Sequence, residues 1–221
     1  MISLAVALTI STLTTRLDDP ITITASEDVW VYPNAGEPST DETFKVWGVG
    51  GKAVAPTPAE AESFGYGYLK FNVPEVPEGK KLVGAWMLLK PSASMKVDPN
   101  AKDYPLEVRP LVGKFEEKTW TYDKSATVYP GDSIFGTGVV APPDGLSAVG
   151  ALEIRIDLLG KKSKFAETFA KGGKNPMYFA LTSKYDAGEL GREGIYRIYT
   201  RDRKEGDVKP KLILVFDKLE F

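Results

Sequence analysis

The stretch from Phe64 to Pro91, FGYGYLKFNVPEVPEGKKLVGAWMLLKP, limits the possible folds more than any other part of the chain. In its first half Tyr66, Tyr68, Lys70 and Asn72 alternate with Gly67, Leu69, Phe71 and Val73, the period of two of a β-strand. Pro74, Pro77 and Gly79 then stop one strand and set up the next. From Leu82 to Lys90 the pattern becomes continuously apolar through Ala85, Trp86, Met87, Leu88 and Leu89, as in a strand covered on more than one side. The expectation is a hairpin at the centre of a β structure. An isolated hairpin is marginal in water, so the rest of the chain must supply sheets that cover it.

The remaining segments fit that demand. Short alternating runs occur at 21–25, 28–32, 43–47 and 106–112, at Trp120 with Tyr122, and at 152–158, 177–183, 194–201 and 211–217. In LEIRIDL the apolar Leu152, Ile154, Ile156 and Leu158 share one face. One helix is expected, over 160–171, with Phe165 and Phe169 four residues apart above a lysine-rich face and Gly172 and Gly173 at its end. The loops at 48–63, 92–103 and 127–148 are long for a sheet protein. Short strands at turn-punctuated intervals, with one short helix, predict an all-β chain: an antiparallel β-sandwich of jelly-roll type. Nothing resembles a linker, so residues 20–221 read as a single domain preceded by an arm, 1–19.

The arm has its own pattern. Ile2, Leu4, Val6, Leu8 and Ile10 fall on one parity, with Ser3, Ala5, Ala7, Thr9 and Ser11 on the other. The first basic residue is Arg16, so the positive start of a secretory leader is lacking and a strand is the favoured reading. Such a strand would complete either its own sheet or that of a neighbouring copy.

Composition excludes several functions. A net charge of −2 over 221 residues gives no electrostatic basis for binding nucleic acid or an anionic membrane. No apolar run approaches the roughly 20 residues that span a bilayer. The chain has no Cys and no His, which removes thiolate chemistry, cysteine zinc sites and the commonest general base. It also has no Gln, and few Asn and Met, a bias reported for heat-adapted proteins. Glu116 and Glu117, on adjacent strand positions, would point to opposite faces and could not flank one glycosidic bond. Asp202, Glu205 and Asp207, interleaved with Arg201, Arg203, Lys204 and Lys209, read as a solvated turn. The chain is therefore expected not to be an enzyme.

Two kinds of binding chemistry remain. Glu27, Asp28, Asp157 and Asp217 lie at strand starts or ends and could supply hard oxygen ligands to a structural calcium ion, or be ordinary edge acids. Arg197, Tyr199 and Arg201 share one parity of a strand, where an aromatic ring can stack on a sugar and guanidinium groups can pair with carboxylates. Arg201 reads equally well as a structural arginine paired with Asp202 or Glu153. Trp30, Tyr32, Trp47 and Tyr66 are further aromatic candidates, with core packing as the ordinary alternative.

The order of these segments resembles the DNRLRE domain, a family that includes the family 96 carbohydrate-binding modules and disaggregatase-related surface proteins. Its Asp-aromatic-Val start, Tyr-Leu-x-Phe-Asp strand, Pro-x-Gly turn and Ala-x-Leu-x-Leu strand are matched by Asp28, Tyr68, Leu69, Phe71, Gly79, Ala85 and Leu88. FEEKTWTYDKSA is similar to its Trp-x-Glu-x-x-Thr-Trp element, with Phe115 in the first aromatic place and Glu117, Thr119 and Trp120 retained. IRIDLLG carries Asp157 of its Asp-Val/Leu-Thr strand. Its closing segment is matched by Thr200, Arg201, Asp202, Pro210, Leu212 and Val215, while Asn72 replaces the usual Asp. The resemblance implies a jelly-roll sandwich, often calcium-stabilised, on secreted or cell-surface proteins, some of which bind acidic polysaccharide. Two functions are thus expected. The first is a structural protein of a virion surface or filament, self-associating or bound to another structural protein through its N-terminal strand. The alternative is a carbohydrate-binding or adhesion module recognising acidic polysaccharide. Either places the chain outside a cell or on a virion.

Overall fold

The computed structural model describes residues 19–33, 35–48, 64–92, 101–142, 152–172 and 176–218. The arm positions Ile2, Leu4, Val6, Leu8 and Ile10 lie outside the described residues, as do most of the 48–63 and 92–103 loops.

Among the described residues thirteen strands follow in chain order. They are β1 (Ile21–Thr24), β2 (Glu27–Val31), β3 (Thr43–Gly48), β4 (Phe64–Phe71), β5 (Lys80–Leu89), β6 (Leu106–Val112), β7 (Tyr129–Pro130), β8 (Gly136–Gly138), β9 (Val140–Ala141), β10 (Glu153–Asp157), β11 (Met177–Ser183), β12 (Tyr196–Tyr199) and β13 (Lys211–Lys218). One sheet runs β1-β13-β5-β10-β9. The other runs β12-β3-β4-β11-β6-β7, with β2 also on β4 and β8 also on β6. Each pairing is antiparallel. The chain passes repeatedly between the two sheets, and the first described strand lies beside the last, so the expected sandwich is the one that forms.

The core between the sheets is built from alternate residues: Leu69 and Phe71 of β4, Met87 and Leu89 of β5, Ile154 and Ile156 of β10, Phe179 and Leu181 of β11, Leu212 and Leu214 of β13. Each fully buried side chain of this size contributes about 1.5–3 kcal/mol. The helix α1 (Phe165–Gly172) packs Phe165 and Phe169 into the same core. It starts later than its periodicity suggests, because Ser163 Oγ accepts from the Phe165 N–H and so caps it there.

Two expectations about 64–91 are corrected. β4 and β5 do not pair; they belong to opposite sheets. The proline-rich link Asn72–Gly79 carries the chain from one sheet to the other instead of making a tight hairpin turn, since Pro74 and Pro77 cannot donate to a ladder. The strand covered on both faces is β4, not β5. Behind β4 and β2, Val29, Val31, Tyr66 and Tyr68 form a second cluster with Phe115, Trp120 and Val128, supplied by the 113–128 connection. That connection is not a strand at Trp120; it contains 3₁₀ turns at Glu117–Thr119 and Tyr122–Ala126. The outward Trp86 and Leu88 of β5 are only half-buried. Trp86 lies flat on Gly84, where a Cβ would come within 2.5 Å of the ring, and Arg155 sits 5.1 Å above it.

Candidate functional site

Two places gather side chains with chemistry. The first is a cleft of about 420 Å³ beside β3 and β12. Cross-strand pairing of Arg197 with Lys45 and of Tyr199 with Thr43 puts Lys45, Trp47, Arg197 and Tyr199 on one face of this ribbon. Phe44, Val46, Tyr196 and Ile198 take the other face, in the core. Trp30 and Tyr32 stack at 4.9 Å and 18° between planes, and Tyr32 meets Trp47 at 5.4 Å. The Trp30 indole N–H donates to Lys45 O at 3.0 Å, and the Lys45 ammonium lies 5.5 Å from the same ring. Trp47 can lie against β4 because position 65 is Gly: a Cβ there would be 2.3 Å from the ring. The far wall is the 185–195 segment, which carries the short helix α2 (Ala187–Leu190) and brings Gly188, Arg192 and Ile195 to the cleft. The Arg197 guanidinium donates to Arg192 O at 3.3 Å. The cleft thus combines three aromatic rings with three cations, and no carboxylate is among its described lining residues.

The second place is a set of acids around Arg201, just beyond β12. Asp28 is 1% exposed, and its Oδ2 accepts from the Arg201 backbone N–H at 2.7 Å. The Arg201 guanidinium donates to both oxygens of Glu117, through Nε at 3.0 Å and through Nη2. Glu117 Oε1 also accepts from the Asp28 N–H, at 3.2 Å, and the Glu117 N–H donates to Glu27 Oε2 at 3.0 Å. Asp202 lies 3.8 Å from Arg201 Nη2, and its Oδ2 is buried without a hydrogen-bond partner. Burial, reinforced by the charges of Glu117 and Asp202, pushes the Asp28 carboxyl up to about 7 against the pull of the Arg201 N–H. Burial also opposes the charge of Glu27, but the Lys70 ammonium and the Glu117 N–H outweigh it and hold that carboxyl below its ordinary value.

The expected residues are therefore regrouped. Of Arg197, Tyr199 and Arg201, only Arg197 lines the cleft; Tyr199 lies farther along the same face under the Arg203 guanidinium, and Arg201 turns to the acids. The four acids chosen for calcium do not meet. Asp157 and Asp217 flank β5 opposite Trp86 and Lys81, roughly 16 Å apart along that strand. Asp28 instead gathers Glu117 and Asp202, with ligand atoms within 4.8 Å of one another. These three offer the hard oxygens calcium takes. Yet both Glu117 oxygens and Asp28 Oδ2 are already committed to Arg201, so as arranged the set is held by a guanidinium, and Asp202 Oδ2 is buried without a hydrogen-bond partner among the described residues. Glu117 is not on a strand facing away from Glu116; a 3₁₀ turn buries it. Asp202 does lie in a turn, but its side chain is half-buried against Arg201, while Glu205 and Asp207 of the same stretch are exposed as expected. Lys45 and Arg192 were missed altogether, and nothing local in the sequence marks them, since only the pairing of β3 with β12 and the turn at 191 bring them to the aromatic rings.

No protein-family model matches the chain, and a search of curated proteins finds no match. The fold and the cleft define the class: an antiparallel β-sandwich with an aromatic, cation-rimmed groove on one edge ribbon. No helix among the described residues is long and apolar enough to cross a membrane.

Proposed function

We propose that this protein is a non-enzymatic carbohydrate-binding module that takes an acidic glycan in the cleft between Trp47 and Arg192. The observation that carries this reading is the gathering of aromatic rings and cations in one cleft: Tyr32 and Trp47 beside Lys45, Arg192 and Arg197, with no acid among the described lining residues. Sugar rings stack on aromatic side chains, and a guanidinium matches a carboxylate bidentately. Such a ligand places the protein outside a cell or on a particle surface, as the resemblance to the DNRLRE domain also implies. Titration with an oligogalacturonate is the test. Binding that weakens with added salt and is lost in both Trp47→Ala and Arg197→Ala is expected, with no binding of a neutral glucan. Undiminished binding by either variant would overturn the site.

A second reading, a structural subunit of a virion or filament, draws on one feature. β1 is a terminal strand of its sheet among the described residues, with Ile21 37% exposed, and an open edge can accept a strand from a neighbour. The native mass of the full chain beside a version starting at Pro20 decides it: assembly abolished by the truncation supports the subunit, and equal monomeric masses reject it.

A further inference from the structure

The cleft wall is not a side of the sandwich; it is the 185–195 excursion between β11 and β12, and its attachment is concentrated on one side chain. Tyr185 is 3% exposed, its ring set edge-on against Tyr104 at 5.9 Å. Its hydroxyl lies 2.9 Å from Gly191 O and 3.2 Å from Leu190 O, and accepts from the Gly194 N–H at 3.2 Å. The same residue accepts the Gly48 N–H on its backbone carbonyl at 3.0 Å, so it joins the end of β3, which carries Trp47, to the far end of the wall. Within the wall Asp186 Oδ1 caps α2 by accepting from Gly188 and Glu189, and Gly191 turns the chain at φ 86°, a conformation that favours glycine. Arg192 follows directly, exposed, with its carbonyl on Arg197. α2 buries no side chain of its own. Apart from Ala187 and Ile195, which meet the core, little apolar packing holds this wall, and the phenol oxygen lies within hydrogen-bond distance of three of its backbone groups.

We propose that Tyr185 is the positioning residue of the cleft: its hydroxyl holds the 186–194 wall in place and thereby sets Arg192 opposite Trp47 before any ligand arrives. A preformed wall spares the ligand the cost of ordering a loop, which is where affinity is commonly lost. The inference rests on the cleft being the binding site, but its first test does not.

The test compares Tyr185→Phe with the parent chain by hydrogen exchange. Tyr196→Phe serves as the control, since it removes another buried tyrosine hydroxyl, bonded to Tyr104 O at 3.1 Å away from the wall. In Tyr185→Phe the amides of Gly188, Glu189 and Leu190, none of which bonds Tyr185, should exchange about tenfold faster while the strands and the melting temperature hold. Tyr196→Phe should leave those three amides unchanged. Oligogalacturonate affinity should fall about five- to tenfold in Tyr185→Phe, although no residue lining the cleft has been altered. Unchanged exchange at 188–190 overturns the proposal. So does faster exchange spread over the whole molecule in both variants, which would make the hydroxyl a general support. Faster local exchange with undiminished affinity also overturns it, because the wall would then not govern binding. If the parent chain binds no oligogalacturonate, the proposed function fails, and the exchange comparison alone decides whether Tyr185 holds the wall.

Discussion

Asp28 carries a carboxyl almost wholly withdrawn from water, at 1% exposed. Its carboxyl is pushed up to about 7, above the ordinary value of 3.8, by burial first and by Glu117 and Asp202 next. A carboxyl raised in the folded state contributes stability that is complete below its unfolded value and lost as pH climbs through the folded one. The chain should thus weaken between about pH 4 and about pH 7, by on the order of 4 kcal/mol from this group. With no His and no Cys, no other side chain type ordinarily titrates near neutrality. Asp28→Asn keeps an acceptor for the Arg201 N–H and removes the charge, so denaturant melts of this variant should show a flatter pH profile over that range. An unaltered slope would place the titration elsewhere. Arg201 is the counterpart: Arg201→Met leaves Glu117, 6% exposed, without its cation, and should cost about 3 kcal/mol in urea unfolding. In the parent chain the guanidinium already supplies that charge, so millimolar calcium in place of a chelator should hardly move the melting temperature; a marked rise would put a cation among Asp28, Glu117 and Asp202. The sequence pairs Arg201 with its neighbour Asp202 but does not bring Asp28 or Glu117 to it: Glu117 and Arg201 stand 84 positions apart and Asp28 and Arg201 173 apart.

At the scale of the element, strands whose two faces differ were legible and connections were not. β10 and β13 match their alternating runs closely, because each sets one face on the core. The 113–128 connection defeated the same reasoning: Phe115, Trp120 and Val128 are apolar not as members of a sheet but as a cover over Tyr66 and Tyr68. β4 and β5 failed as a pair because alternation tells which face a residue takes and not which strand lies next to it. In the cleft, residue type alone marked Trp30, Tyr32, Trp47 and Arg197 as candidates. What makes them a site is Gly65, whose missing side chain admits the Trp47 ring. Gly65→Ala would put a Cβ 2.3 Å from that ring and 2.7 Å from Lys45 O, so the ring and the β3 backbone must both move. The expected loss is about 2–3 kcal/mol, read by chemical denaturation, together with weaker oligogalacturonate binding. A variant as stable as the parent would mean that β3 shifts freely.

For the whole molecule the question is what resists heat in a chain without a disulfide or a histidine. The first and last described strands pair side by side, β1 on β13, and β13 runs the length of β5, so the last strand is held inside its sheet while β1 forms the edge beside it. Two separate apolar clusters lie on the two faces of β4, so that strand cannot leave without opening both. A buried arginine secures one of the long connections as well: Arg109 pairs with Glu107 at 2.7 Å and donates to the carbonyls of Gly131 and Asp132. A topology in which most partners are distant in sequence folds slowly, and the same long-range contacts must break together for it to unfold. Combined with a composition poor in Asn and Met and lacking Gln and Cys, this leads to a melting temperature above the roughly 45–65 °C of mesophilic domains. Calorimetry at pH 5, on the stable side of the Asp28 titration, is the measurement. A cooperative transition within or below that range would mean that the missing amides are an accident of a strand-rich composition and that the paired ends of the sandwich confer no special resistance.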